Sequence, residues 1–230
     1  MGRLFSVKLP LAAMLMFLFS AHADEAPDAH ELLRVVRMAQ TGQEWNLTGQ
    51  LRVGSVKHPF KLAVAKGAIR YEFTDTGDTL TLRLGEKGST LEETKGGKSA
   101  RVTAAKFNQP VFDTDLSYED LALRFLYWPE AKVIGDDVIV AHSCWKVEVR
   151  PAAKDDSQYT RAVLWIGKDD GALMKAESYD ARDKWARRFT VRSVMKRDGL
   201  WLLKQMRIES AAGRSADPKP TYLEIEDVTK

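Results

Sequence analysis

Apolar and polar residues alternate with a period of two along most of the chain, and the alternation breaks only where turn residues cluster. Trp45, Leu47, Gly49, Leu51 and Val53 interleave with Glu44, Asn46, Thr48, Gln50 and Arg52. The same rhythm continues through Phe60, Leu62 and Val64, then Ile69, Tyr71 and Phe73, then Leu80, Leu82 and Leu84. Successive side chains of a strand point to opposite faces, so each run predicts a strand with one buried face. Lys66-Gly67, Thr76-Gly77-Asp78 and residues 85–88 supply the turns between them. A second series runs from Cys144 to Arg150, Tyr159 to Ile166, Leu173 to Tyr179, Trp185 to Met195 and Leu200 to Ile208. Its turns include Asp170-Gly171 and Asp198-Gly199, pairs that suit the positive backbone angles of tight hairpins. Connections this short leave no room for crossover helices, so both meanders are expected to be antiparallel. Leu223 and Ile225, set between Tyr222, Glu224 and Glu226, predict a last strand, at an edge.

The period lengthens to a helical one in two places. Asp28 with Glu31 three residues on forms a capping box, and Leu32, Val35, Val36 and Ala39 follow as one apolar stripe that Gly42 ends. Ser117, with Glu119 and Asp120 in the first turn, predicts a second start. Tyr118, Leu121, Ala122 and Phe125 form its stripe, and Pro129 stops it. Residues 94–99 are rich in Gly and Lys and predict an exposed loop, as do the polar residues 211–220. The expected class is α+β, or an all-β barrel with helices across its mouth.

Leu164-Trp165-Ile166 and Trp201-Leu202-Leu203 place apolar residues on both faces of the second meander, so each face buries something, and Trp201 is expected inside the sheet. A curled sheet filled by helices rather than by its own side chains can hold an apolar ligand. The candidate lining residues are Trp45, Leu47, Phe60, Leu62, Tyr71, Phe73, Leu121, Phe125, Trp145 and Trp165.

Composition changes this picture at the N-terminus. Arg3 and Lys8 precede an apolar stretch from Leu11 to Phe19 and then Ala21-His22-Ala23, the three-part layout of a secretory signal peptide. The expectation is export to the periplasm, cleavage after Ala23 and one domain over residues 24–230. Cleavage removes two cations from a formal charge of +3, so the remainder is close to neutral and offers no electrostatic case for binding nucleic acid. Cys144 is the only cysteine, which excludes an internal disulfide.

Chemistry is sparse. His30 and His58 are expected on the surface; His142-Ser143-Cys144 holds the residue types of a nucleophilic site, but adjacent residues on a strand face opposite ways, and Cys144 reads more simply as a small buried apolar residue. The pairs Asp136-Asp137, Asp155-Asp156 and Asp169-Asp170 read as turn residues, without the ligand spacing of a calcium loop. No catalytic constellation, metal set or cofactor motif stands out, so binding rather than catalysis is expected.

At Phe112 to Leu121, which contains Asp115-Leu116-Ser117-Tyr118-Glu119-Asp120-Leu121, the chain resembles the outer-membrane lipoprotein-sorting proteins of the LolA-like superfamily. The order of Cys144-Trp145, Pro151, Tyr159, Val163-Leu164-Trp165-Ile166, Gly171, Lys175, Glu177, Tyr179 and Gly199-Leu200-Trp201 agrees with it, over about Ser99 to Lys230. The resemblance implies a mainly β, α+β fold, a curled and incomplete antiparallel barrel with helices over its concave face, and a soluble carrier, without cofactor, that binds the acyl chains of lipoproteins or lipids for transfer to the outer membrane. It implies an inner-membrane release complex and an outer-membrane receptor as partners. The rival reading is an envelope-stress sensor or scaffold of the same fold that binds a membrane signalling protein.

Overall fold

The first and last strands of the chain pair with each other in the middle of one sheet, and this pairing dictates where everything else goes. The computed structural model describes residues 26–41, 44–197, 199–211 and 219–229; the expected leader (residues 1–23), Gly42 and Asp198 lie outside the described residues. The first meander comprises β1 (Trp45–Val53), β2 (Val56–Ala65), β3 (Ala68–Phe73), β4 (Thr79–Leu84), β5 (Ser89–Lys95) and β6 (Lys98–Arg101). The second comprises β7 (Glu130–Ile139), β8 (His142–Arg150), β9 (Arg161–Gly167), β10 (Leu173–Tyr179), β11 (Trp185–Arg197), β12 (Leu200–Ser210) and β13 (Thr221–Thr229). The sheet has 13 antiparallel strands in the order β6-β5-β4-β3-β2-β1-β13-β12-β11-β10-β9-β8-β7. It is curled, mostly β and not closed into a barrel.

Because β1 pairs with β13, the consecutive strands β6 and β7 stand at opposite edges. Twelve strand spacings laid flat would part those edges by about 58 Å. Residues 102–129 therefore have to travel from edge to edge, and they do so across the concave face. Into this segment fall α2 (Ala104–Phe107), α3 (Tyr118–Leu121) and the 3₁₀ turn Arg124–Tyr127. The helix α1 (Ala29–Thr41) covers the other part of the face, against β7 and the 3₁₀ turn. Asp28 caps it, its Oδ1 accepting from the Glu31 N–H at 2.9 Å. Arg37 fastens α1 to the segment, donating to the Leu126 carbonyl at 2.6 Å.

Alternation places the core. Phe60, Phe73, Leu80, Leu82 and Leu91 of the first meander and Val147, Val149, Leu164, Ile166 and Ile208 of the second form one buried cluster with α1 and the crossing segment. The opposite face of the second meander carries a smaller cluster of Cys144, Val163, Trp165, Met174 and Val191, reached by Val194, Leu203 and Met206 of the long β11–β12 hairpin. Hence the double-sided apolar runs have two apolar partners, both of them protein.

The structure corrects several expectations. Residues 94–99 are not a loop but the ends of β5 and β6 around the turn Gly96-Gly97, whose backbone angles are both positive. Asp136-Asp137 lie in the edge strand β7 rather than in a turn; charges on an edge discourage pairing with another sheet. His58 lies within β2 and is half-buried, stacked on Phe112 and 3.0 Å from Asp75. The last strand, β13, is central, because its apolar face meets β1 on one side and β12 on the other. Trp201 is 55% exposed at the tip of the β11–β12 hairpin, beside His142, since only Leu202 and Leu203 of its run reach the two clusters.

At the β1–β13–β12 seam, Glu224 accepts from Arg52 at 2.6 Å, Gln50 at 2.8 Å and Gln205 at 3.0 Å. The Arg52 hydrogen bond holds its carboxyl below the ordinary 4.5. A depressed folded-state value contributes stability above the unfolded pKa and loses it as pH falls through the folded one. Thermal melts of the wild type should therefore lose up to about 1 kcal/mol from this site as pH drops below 4.5, a figure limited by solvent screening. Glu224→Gln should flatten that part of the profile.

Candidate functional site: the concave face and the segment that crosses it

The concave face is apolar because β1 to β5 turn apolar residues inward. Of the candidate lining residues, Trp45, Phe60, Leu62 and Phe73 are buried in the main cluster, and Leu47 and Tyr71 pack against it. Burial pushes the Tyr71 phenol up to about 12, which keeps this wall neutral at ordinary pH. Phe60 meets Tyr71 and Phe73 edge-on, at ring distances of 5.4 and 6.0 Å. Leu121 and Phe125 belong to the same cluster from the crossing segment, and Trp145 packs against it from β8. Trp165 alone stands apart, in the smaller cluster on the opposite face. Its indole N–H donates to Asp137 at 3.0 Å, and Lys175 lies 4.1 Å from its ring.

The crossing segment fills the concavity with Val102, Val111, Leu116, Tyr118, Leu126 and Trp128, as well as Leu121 and Phe125. The predicted single helix is broken in two. Leu123 takes a left-handed conformation (φ 50°) between α3 and the 3₁₀ turn, so the apolar residues of the segment are not confined to one helical stripe. Phe112 adds a contact on the rim, 4.4 Å from the Phe73 ring.

What moors the segment is polar and buried, and it is the stretch that carries the family resemblance. Ser117 caps α3 in a full capping box with Asp120. Asp120, 2% exposed, also accepts from the Tyr159 hydroxyl at 2.8 Å and pairs with the Arg187 guanidinium of β11 at 3.2 Å. Arg187 donates onward to the Asp115 carbonyl, while the Asp115 N–H donates to Thr221 of β13 at 2.8 Å. Glu119 accepts from the Gln158 N–H at 3.1 Å and lies 3.5 Å from Arg124, which also pairs with Asp155 at 2.6 Å. Tyr118 and Lys106 both reach Glu93 of β5. Burial pushes the Asp120 carboxyl up, opposed chiefly by Arg187, and burial likewise raises Glu119. One short motif thus ties the segment to β5, β11, β13 and the 151–160 loop. Its residues hold the segment in place.

Sequence reasoning missed this mooring. In the sequence Asp120 shows only as a first-turn carboxylate, and the signal for Arg187 is its place in phase with Phe189, a charge at an inward position. Cys144 is fully buried, its thiol pushed up by burial and donating to the His142 carbonyl at 3.3 Å. Among the described residues no group of three or more His, Cys, Asp or Glu side chains could hold a metal ion, and no helix is long and apolar enough to cross a membrane.

A family model described as "uncharacterized protein" matches residues 95–229. Among curated proteins none matches the sequence. A DUF1329 family protein from Desulfovibrio piger is similar in structure, with a TM-score of 0.70 and 19% identity, over 86% of this chain and 90% of that one. A proposed outer membrane lipoprotein-sorting protein domain from Vibrio parahaemolyticus is similar to the same degree, with a TM-score of 0.70 and 18% identity over 87% and 91%. A LolA superfamily protein from Nitrosomonas europaea gives 0.61 and 12% over 88% and 93%. At such identities the likeness concerns the fold.

Proposed function

The chain belongs to the family whose model spans residues 95–229 and has the LolA-like fold, and from that premise we propose that it is an exported, periplasmic carrier. It binds the acyl chains of lipoproteins or lipids on the concave face and releases them toward the outer membrane. One observation carries this reading: the apolar face is covered by a connection rather than by a second sheet. An acyl chain can replace the contacts that residues 102–128 make with the sheet, so entry costs the polar mooring together with any apolar surface of the segment that is turned to water. Burying a sixteen-carbon chain is worth roughly 12 kcal/mol, which drives entry when the segment keeps its apolar residues covered as it gives way. Release needs only a receiver that hides the chain as well. The reading needs no cofactor and no reacting group at the carrier, so it is a binding function and not an enzymatic one.

Native mass spectrometry of the protein purified from membrane-containing cells tests it. Acylated species should co-purify, and the delipidated protein should take up a fluorescent fatty-acyl probe. A protein partner in fixed stoichiometry with no probe uptake would overturn the carrier reading in favour of a sensor or scaffold.

A further inference from the structure

We propose that a cleft at the edge of the crossing segment receives the anionic head of an acyl-bearing amphiphile. This deepens the carrier reading and rests on it. The cleft, about 310 Å³, opens between the β4–β5 turn, β6 and the end of the crossing segment. That is the small end of the range for ligand sites, enough for a head group and the first carbons of a tail.

Its floor is apolar and continuous with the core. Leu91, Val102, Ala122 and Trp128 line it and all belong to the main buried cluster. A tail attached at this point meets the apolar residues of the crossing segment that an acyl chain would displace. The rim is cationic. Lys87 and Arg101 line the cleft and make no ion pair among the described residues, whereas Arg124 is already matched by Asp155 and Glu119. Asp155, the acid in the lining, is thereby neutralised, and the unmatched charge at the cleft is positive.

The polar atoms tell the same story. Among the described residues, four buried side-chain polar atoms lack a hydrogen-bond partner, and two of them belong to residues that line this cleft: the Trp128 indole Nε1 and the Ser89 Oγ. Trp128 is 3% exposed, so its N–H has exchanged water for nothing. A buried donor without an acceptor is costly; both atoms are closed off as the cleft stands, so a ligand oxygen that enters beside Lys87 and Arg101 would supply the acceptor as the Trp128 ring and the Ser89 hydroxyl turn toward it. An anionic oxygen serves better than a neutral one, because charge-assisted hydrogen bonds are the stronger kind. Carboxylate and phosphate both meet these requirements.

The test uses the delipidated chain and three twelve-carbon amphiphiles that displace a fluorescent acyl probe: laurate, lauroyl lysophosphatidylglycerol and the neutral monolaurin. At low salt at least one anionic compound should bind about tenfold more tightly than monolaurin, the size of one charge-assisted hydrogen bond. The gap should shrink as salt is added. Preference for laurate identifies a carboxylate head, and preference for the lysophospholipid a phosphate head. The Lys87→Gln/Arg101→Gln variant, both changes at exposed side chains, should close the gap and leave monolaurin binding unchanged. Trp128→Phe should weaken the anionic compound severalfold, with a thermal melt to separate binding from folding. Equal binding of charged and neutral amphiphiles in wild type and variant would overturn the cleft assignment and leave the carrier reading standing. If no amphiphile displaces the probe, or the probe itself does not bind, both fall.

Discussion

Arg187→Ala is expected to destabilise the protein by about 3–5 kcal/mol, because it leaves Asp120 buried and without its cation. For a chain of this size that is a fall in melting temperature of roughly 6–20 °C. The loss should not be a matter of side-chain volume. Removing both members together, as Arg187→Met with Asp120→Leu, should recover the part of the loss owed to the uncompensated charge, but not the α3 capping box or the Tyr159 hydrogen bond that Asp120 also supplies. The same double variant should change acyl binding, because α3 keeps its apolar contacts but loses the polar link to β11. Chemical denaturation of the two variants beside the wild type measures the first effect, and probe titration the second. If Arg187→Ala melts like the wild type, the mooring is not where the structure puts it.

The second large effect is at the seam between the meanders. Gly49 sits at the irregularity in the β1–β13 pairing, and a Cβ there would stand 2.1 Å from the Glu224 carbonyl oxygen and 3.1 Å from the Phe60 ring. No side chain fits without moving the backbone of β13. Gly49→Ala should cost about 3 kcal/mol, the upper end for an overpacked interior. The damage should spread beyond the site, because the β1–β13 pair joins the two halves of the sheet. Hydrogen exchange should show faster loss of protection in both β1 and β13. A variant that keeps wild-type stability would mean that the two strands are not held at the observed distance.

Alternation made β1 to β4 readable strand by strand, since one face of them is buried and the other wet. The elements that escaped were those whose pattern does not alternate. The strand β7 is an edge with most of its residues exposed, so Asp136, Asp137 and Val138 carry no buried face to betray it. The hairpin β5–β6 hides behind Gly96-Gly97, which reads as a loop until Leu91 is seen to be buried. Trp201 deceived in the opposite sense: an aromatic in an apolar run looks internal, yet its side chain is 55% exposed, beside His142. The central position of β13 could not be read at all, because strand order depends on which distant strands pair, and the local pattern of Leu223 and Ile225 is the same at an edge. As for the candidate site, nine of its ten residues meet in or against one cluster. Trp165 differs because a strand buried on both faces gives no local sign of which face is which.

Hydrogen exchange across residues 104–128, with and without a saturating acyl ligand, tests the central claim most directly. If acyl chains take the place of the crossing segment, exchange in these residues should quicken on binding while β2, β3 and β4 stay protected. Binding that leaves 104–128 as protected as in the free protein would contradict the account, since the chains would then lie somewhere other than the concave face.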